Sequence, residues 1–160
     1  MAITLNDLLD SVRNSRRHFL RHLDGLTDAQ WDWKPYPECK SIRETLVHLH
    51  ADDKAALFSI QTGEEPDYES ILAAETEQEP AQLRTQLDDS FVALLAEIQT
   101  RYADAPLDAE ICIYGSKMKL ALGVPYLSSE DFYHAGQVAF VRMATDPNWD
   151  YYASIYGPPA

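Results

Sequence analysis

Apolar residues recur at helical spacing in four long stretches of this chain. In the first, from Leu5 to Leu23, the residues Leu5, Leu8, Leu9, Val12, Phe19, Leu20 and Leu23 fall on one stripe. Thr4 followed by Asp7 can cap its start. The second has a stronger start signal: Ser41 and Glu44 form a Ser-x-x-Glu capping box just after Pro35 and Pro37. Its stripe is Ile42, Leu46, Leu49, Ala56, Leu57 and Ile60, and it ends near Gly63. The third opens near Pro80, a good first-turn residue, carries Leu83, Leu87, Phe91, Leu94, Leu95 and Ile98, and ends before Pro106. The fourth starts at Ser128 or Ser129 and runs to Thr145.

The connections are of three kinds. The run from Gly25 to Gln30 stops the first helix and begins a short helical turn. Residues 64–79 are acidic, contain Pro66, and read as a long exposed crossover. Between Leu107 and Pro125 the period changes. Ile111 to Tyr114, then Gly115-Ser116, then Met118 to Leu122 predict a short hairpin or an extended connection. The tail from Trp149 to Tyr156 is aromatic enough to pack back on the helices. Four helices bury such stripes most simply as an all-α four-helix bundle, and the length predicts one domain over residues 1–160.

Charge narrows the partners. The chain has 26 acidic and 13 basic residues, a net −13, which repels phosphate backbones and anionic membrane surfaces. Nucleic acid and membrane are therefore not expected as partners. No apolar run is long enough to span a bilayer, and the first residues lack the pattern of a signal peptide, so a cytoplasmic location is expected. Two cysteines, Cys39 and Cys112, make no disulfide framework. Cys39 lies just before the second helix, near the chemistry described next.

That chemistry begins with Glu130 and His134. They stand four apart and leave one helix face a turn apart, so a carboxylate and an imidazole can grip one metal ion. A third ligand must come from another helix, and His48 is the candidate. At about 100° per residue it lies about 120° from the centre of its stripe, at the edge of the core. Asp52, one turn on, is a candidate acceptor for the other ring nitrogen of His48, against the alternative of a solvated acid beside Asp53 and Lys54. Gln137 can hydrogen-bond a ligand or serve helix packing. His18 and His22 are also four apart, but point away from their stripe and read as surface residues beside Arg16, Arg17 and Arg21. His50 points to a different side from His48. Tyr114 and Tyr133 are not assigned to the site, and Trp31 with Trp33 reads as packing at a helix junction.

The run Gly25-Leu26-Thr27-Asp28-Ala29-Gln30 is followed by Trp33, Pro35, Ser41-Ile42, Glu44, Leu46 and His48. Much later come Glu130 and His134, running into Gly136-Gln137, with Arg142 beyond. On these motifs the chain resembles the DinB/YfiT-like superfamily of metal-dependent proteins. The resemblance implies a bundle with one metal site and histidine ligands at His48 and His134. The middle ligand in that family is most often a histidine; here the position is Glu130, as in members resembling mycothiol-dependent maleylpyruvate isomerases. A His48–Glu130–His134 set suits zinc, with nickel, iron and manganese also compatible.

Two functions follow as expectations. The resemblance implies a metal-dependent enzyme acting on a small molecule, by S-transfer or isomerisation with a low-molecular-weight thiol, as in the bacillithiol-type transferases, or by hydrolysis. The alternative is a non-catalytic bundle with a degenerate metal site, acting as a small-molecule binder or interaction protein. A homodimer is compatible with the resemblance, and no Ser elbow or phosphate-binding loop competes for the chemistry.

Overall fold

The structure is a computed structural model and describes residues 2–75 and 79–157. Thr76 to Gln78 of the expected crossover lie outside the described residues. Four long helices carry the fold: α1 (Leu5–Arg21), α3 (Ile42–Thr62), α5 (Pro80–Tyr102) and α7 (Ser128–Thr145). Helix α1 packs on α7 and α3 packs on α5, with further contacts between α3 and α7 and between α1 and α5. This is the expected helical bundle. No helix among the described residues is long and apolar enough to cross a membrane.

Local sequence explains the ends. Thr4 and Asp7 cap α1 reciprocally, and Ser41 and Glu44 do the same for α3. Helix α3 stops at Gly63, whose left-handed φ of 76° suits a residue without Cβ. A single turn, α2 (Asp28–Trp31), follows α1 and buries Trp31 at the junction, with Trp33 packed beside it. The hairpin is present as β1 (Glu110–Ile113) and β2 (Ser116–Lys119), antiparallel, with Ile111 opposite Met118. Tyr114 and Gly115 turn it with φ of 50° and 77°. The second strand is shorter than the apolar run suggests. From Leu120 to Tyr126 the chain forms a further helix, α6, which packs Leu120 and Val124 against α1 and the hairpin. The tail folds back as α8 (Tyr151–Tyr156), burying Ile155.

The core has two apolar halves. One gathers Leu9, Val12, Ala56, Leu94 and Ile98 around the hairpin; the other gathers Phe19, Leu46, Leu49, Leu87 and Val138. Charge lies between them. Arg16 bonds Asp131 Oδ1 through Nε at 2.7 Å, and both oxygens of Asp53 through its two terminal nitrogens at 3.0 Å each. Ser15 and Ser90 donate to Asp131 and Asp53, and the guanidinium lies 4.3 Å from the Phe91 ring centre. Burial opposes the charge on Arg16, but the charges of Asp53 and Asp131 outweigh it.

This corrects the surface reading of the first helix. Arg16 is 4% exposed and His22 1% exposed. Arg16 replaces an apolar residue in the stripe Leu9, Val12, Arg16, Phe19, Leu23, and facing carboxylates make its burial tolerable. His22 is covered by His18 and Tyr151 of the folded-back tail.

Candidate metal centre

His48, Glu130 and His134 each offer one ligand atom, and the three atoms lie within 4.8 Å of one another. His48 comes from the second turn of α3; Glu130 and His134 come from successive turns of α7. Glu130 Oε2 stands 3.9 Å from His48 Nε2 and 3.5 Å from His134 Nε2. Two donors about 2.0–2.1 Å from one tetrahedral ion stand about 3.4 Å apart, so these separations fit a shared cation. His134 Nε2 makes no hydrogen bond although it is buried. An orphaned lone pair aimed at two other donors is what a metal would satisfy.

Each imidazole is turned by a partner on its far nitrogen. Gln137 Oε1 accepts from His134 Nδ1 at 2.6 Å, which leaves the Nε2 lone pair facing Glu130. Gln137 thus hydrogen-bonds the candidate ligand one turn before it. His48 Nδ1 meets Tyr68 Oη at 2.5 Å. Tyr68 also hydrogen-bonds Asp52. A phenol that gives its one proton to an ionised Asp52 accepts from His48 Nδ1–H. This again leaves Nε2 facing the cluster.

Two expectations change here. Asp52 is neither solvated nor the acceptor for the far nitrogen of His48. It is buried, and its Oδ2 lies 3.3 Å from His48 Nε2, on the cluster side. The far nitrogen belongs to Tyr68, on the short helix α4 (Tyr68–Ala73) inside the acidic crossover. That segment has no apolar stripe, so the sequence alone carries no signal for Tyr68. Tyr114 and Tyr133 also border the site: Tyr114 lines a cleft with Asp52 and Glu130, and the Tyr133 ring lies 5.0 Å from that of His134. Cys39 lines the cleft beside His48, as its position suggests, and both cysteines are free thiols.

Burial shapes the protonation of the cluster. It lowers His48 to about 4, helped by the nearby charges of His134 and Lys40. It lowers His134 against the opposing effect of its hydrogen bond to Gln137. Both imidazoles therefore stay in the neutral, ligating form near neutral pH. Burial raises Asp52 to about 7, opposed by its Tyr68 hydrogen bond and reinforced by Glu130 and Asp53.

The comparisons agree with this architecture. The DinB superfamily profile matches residues 11–138. The chain belongs to the DinB superfamily. Among solved structures it is similar to the mycothiol-dependent maleylpyruvate isomerase, with a TM-score of 0.66 and 19% identity over 85% of this chain. A histidine-to-alanine mutant of that isomerase matches alike, with a TM-score of 0.65, 18% identity and 85% of this chain covered. The chain spans 61% of the length of either isomerase chain. At this identity the likeness is one of fold. No curated protein matches the sequence.

The arrangement predicts that Tyr68→Phe weakens zinc binding by about 10–100-fold, the usual loss when a ligand's outer hydrogen bond is removed. Titration against a competing chelator measures it. Tyr68 is only half-buried, so the fold should persist. An unchanged zinc affinity would mean that the phenol does not orient His48.

Proposed function

We propose that this protein is a metal-dependent enzyme holding one divalent transition metal, zinc first and nickel, iron or manganese also compatible, between His48, Glu130 and His134. The observation that carries the reading is the convergence of three donor atoms, one of them a buried nitrogen without a partner, beside a cleft of about 750 Å³. A metal bound there supplies Lewis acidity and lowers the pKa of a thiol or water that reaches it. The chain's own residues do the rest. Gln137 and Tyr68 hold the two imidazoles in the ligating tautomer, and the apolar halves of the bundle fix α3 against α7. Lys40, at the cleft wall, favours an anionic nucleophile.

The reaction we favour is transfer or isomerisation with a low-molecular-weight thiol. The fold likeness to an enzyme named for its mycothiol dependence supports it. Hydrolysis uses the same ligands and is the second reading. The zinc-loaded protein should accelerate alkylation of a small thiol such as cysteinyl-glucosamine by monobromobimane, and a chelator should remove the effect. Chelator-sensitive cleavage of esters without thiol would favour hydrolysis. A loaded protein inert in both assays would return it to the class of binders.

A further inference from the structure

The cleft that opens beside His48, Glu130 and His134 has a volume of about 750 Å³, within the range of small-molecule sites. Its mouth is aromatic. Tyr36, Tyr133 and Phe140 all line it, and they are 69%, 63% and 53% exposed. Three rings left in water around one opening exceed the scattered apolar residues of an ordinary surface. Tyr133 and Phe140 are seven residues apart on α7, so they project along one side of the helix.

Gly136 lies between them and also lines the cleft. Glycine inside a helix is unfavourable, and a conformational or packing need usually excuses it. Neither applies here. Its φ is not positive, and an added Cβ would meet nothing within 4 Å. The fold tolerates a side chain at 136; the cleft is what it would fill. Besides the two histidines, Lys40 is the basic side chain in the lining, which also holds the acids Glu38 and Glu130.

We infer that this cleft binds a small molecule with a flat aromatic body, seated between Tyr133 and Phe140 over the bare backbone of Gly136, and with an anionic head that reaches the His48–Glu130–His134 cluster. This rests on the metal reading above for the head, and on the rings and Gly136 alone for the body. Aromatic faces favour a flat partner in stacked or edge-on contact. Lys40, on the cleft wall, and a cation held by the cluster would supply the positive charge that an anionic head requires.

The test uses probes that share a head and differ in body. Benzohydroxamate should bind the zinc-loaded full-length protein at least tenfold more tightly than acetohydroxamate, by calorimetry. The ratio should fall below about threefold in Tyr133→Ala/Phe140→Ala, whose side chains are too exposed to be needed for folding. Gly136→Leu should lose the preference too, while melting at the same temperature or higher. In metal-free protein, saturation-transfer NMR should show contact with benzamide and none with acetamide, and Gly136→Leu should abolish it.

The arms separate the two readings. Ring contact without zinc uptake overturns the metal site and leaves the aromatic slot standing. Zinc uptake with equal affinity for both hydroxamates overturns the slot and leaves the metal site. If sedimentation shows a dimer that the double variant dissociates, and benzohydroxamate shows no preference, the rings serve a second copy of the chain and the inference fails.

Discussion

His134→Ala should give a folded protein that no longer retains a metal. Wild-type protein purified without an affinity tag should carry about one equivalent of a transition metal, and the variant less than a tenth of that. The reason is the number of donors. His134 is one of three, its Nε2 has no other partner, and the remaining pair comes from two different helices. Losing a ligand should exceed the 10–100-fold expected from losing a ligand's hydrogen bond. The fold should survive, because a buried nitrogen without a partner itself costs about 1–3 kcal/mol, which offsets some of the packing lost with the ring. Zinc at a hundredfold over its dissociation constant adds about 2.7 kcal/mol to the wild type. For a chain of this size that is a rise in Tm of about 5–10 °C. The variant should show no rise. Full metal content in His134→Ala, or an equal zinc-induced shift, would remove His134 from the site. Parallel loss in His48→Ala and Glu130→Ala would complete the assignment.

How much of this was legible beforehand depends on how local each signal is. The caps at Thr4–Asp7 and Ser41–Glu44 lie within four residues, and the stripes repeat within each helix, so four helices and their starts could be read directly. Glu130 and His134 share one helix face for the same reason. Pairing them with His48 depends on two helices meeting, which spacing alone does not determine; the resemblance supplied that step. Tyr68 is a different case. Its segment is acidic, short and without period, and its role exists only because α4 lies against α3. The sequence does not mark the end of β2, because Leu120 and Leu122 continue an apolar run. Leu120 in fact turns inward as the first residue of α6 while Leu122 stays exposed.

The buried charges were visible in a form easily misread. Arg16, Asp53 and Asp131 each interrupt an apolar stripe at a position where the period calls for a core residue: Val12-Arg16-Phe19, Leu49-Asp53-Ala56 and Asp131-Ala135-Val138. One interruption suggests an exposed edge. Three, one each on α1, α3 and α7, with a total charge of −1, suggest a polar layer. Their neighbours matter as much: Asp53 follows Asp52, and Asp131 follows Glu130. One guanidinium thus ties together the helices that carry the cluster.

Arg16→Ala should be the most destabilising single change in the chain, by about 3–5 kcal/mol near pH 8, because it strands two carboxylates in the core. Against a typical total of about 5–15 kcal/mol, that is a large fraction. Its pH dependence carries the diagnostic sign. In the wild type, burial lowers His18, His22, His48 and His134 below 6.5. The unfolded chain takes up those protons first, so the stability they contribute is present above pH 6.5 and fades as pH falls toward about 4. Asp52 and Asp131, raised by burial to about 7 and about 6, act the opposite way, since the folded state protonates first. The two sets pull in opposite directions between pH 7 and 5, so the comparison with the variant carries the diagnostic sign. In Arg16→Ala, Asp131 loses the cation that holds it down, so its pKa climbs further and acid relieves part of the penalty. The gap between the two proteins should therefore narrow as pH falls. Urea unfolding at pH 8.0 and 5.5, with chelator present, measures both gaps. A gap below 1 kcal/mol at pH 8, or one that widens in acid, would show that Arg16 does not neutralise the core. Arg16→Met combined with Asp53→Leu and Asp131→Leu should recover most of the stability while zinc affinity falls below that of the wild type. In that protein the helices are still packed, but the charged tie that sets α3 against α7 beneath His48, Glu130 and His134 is gone.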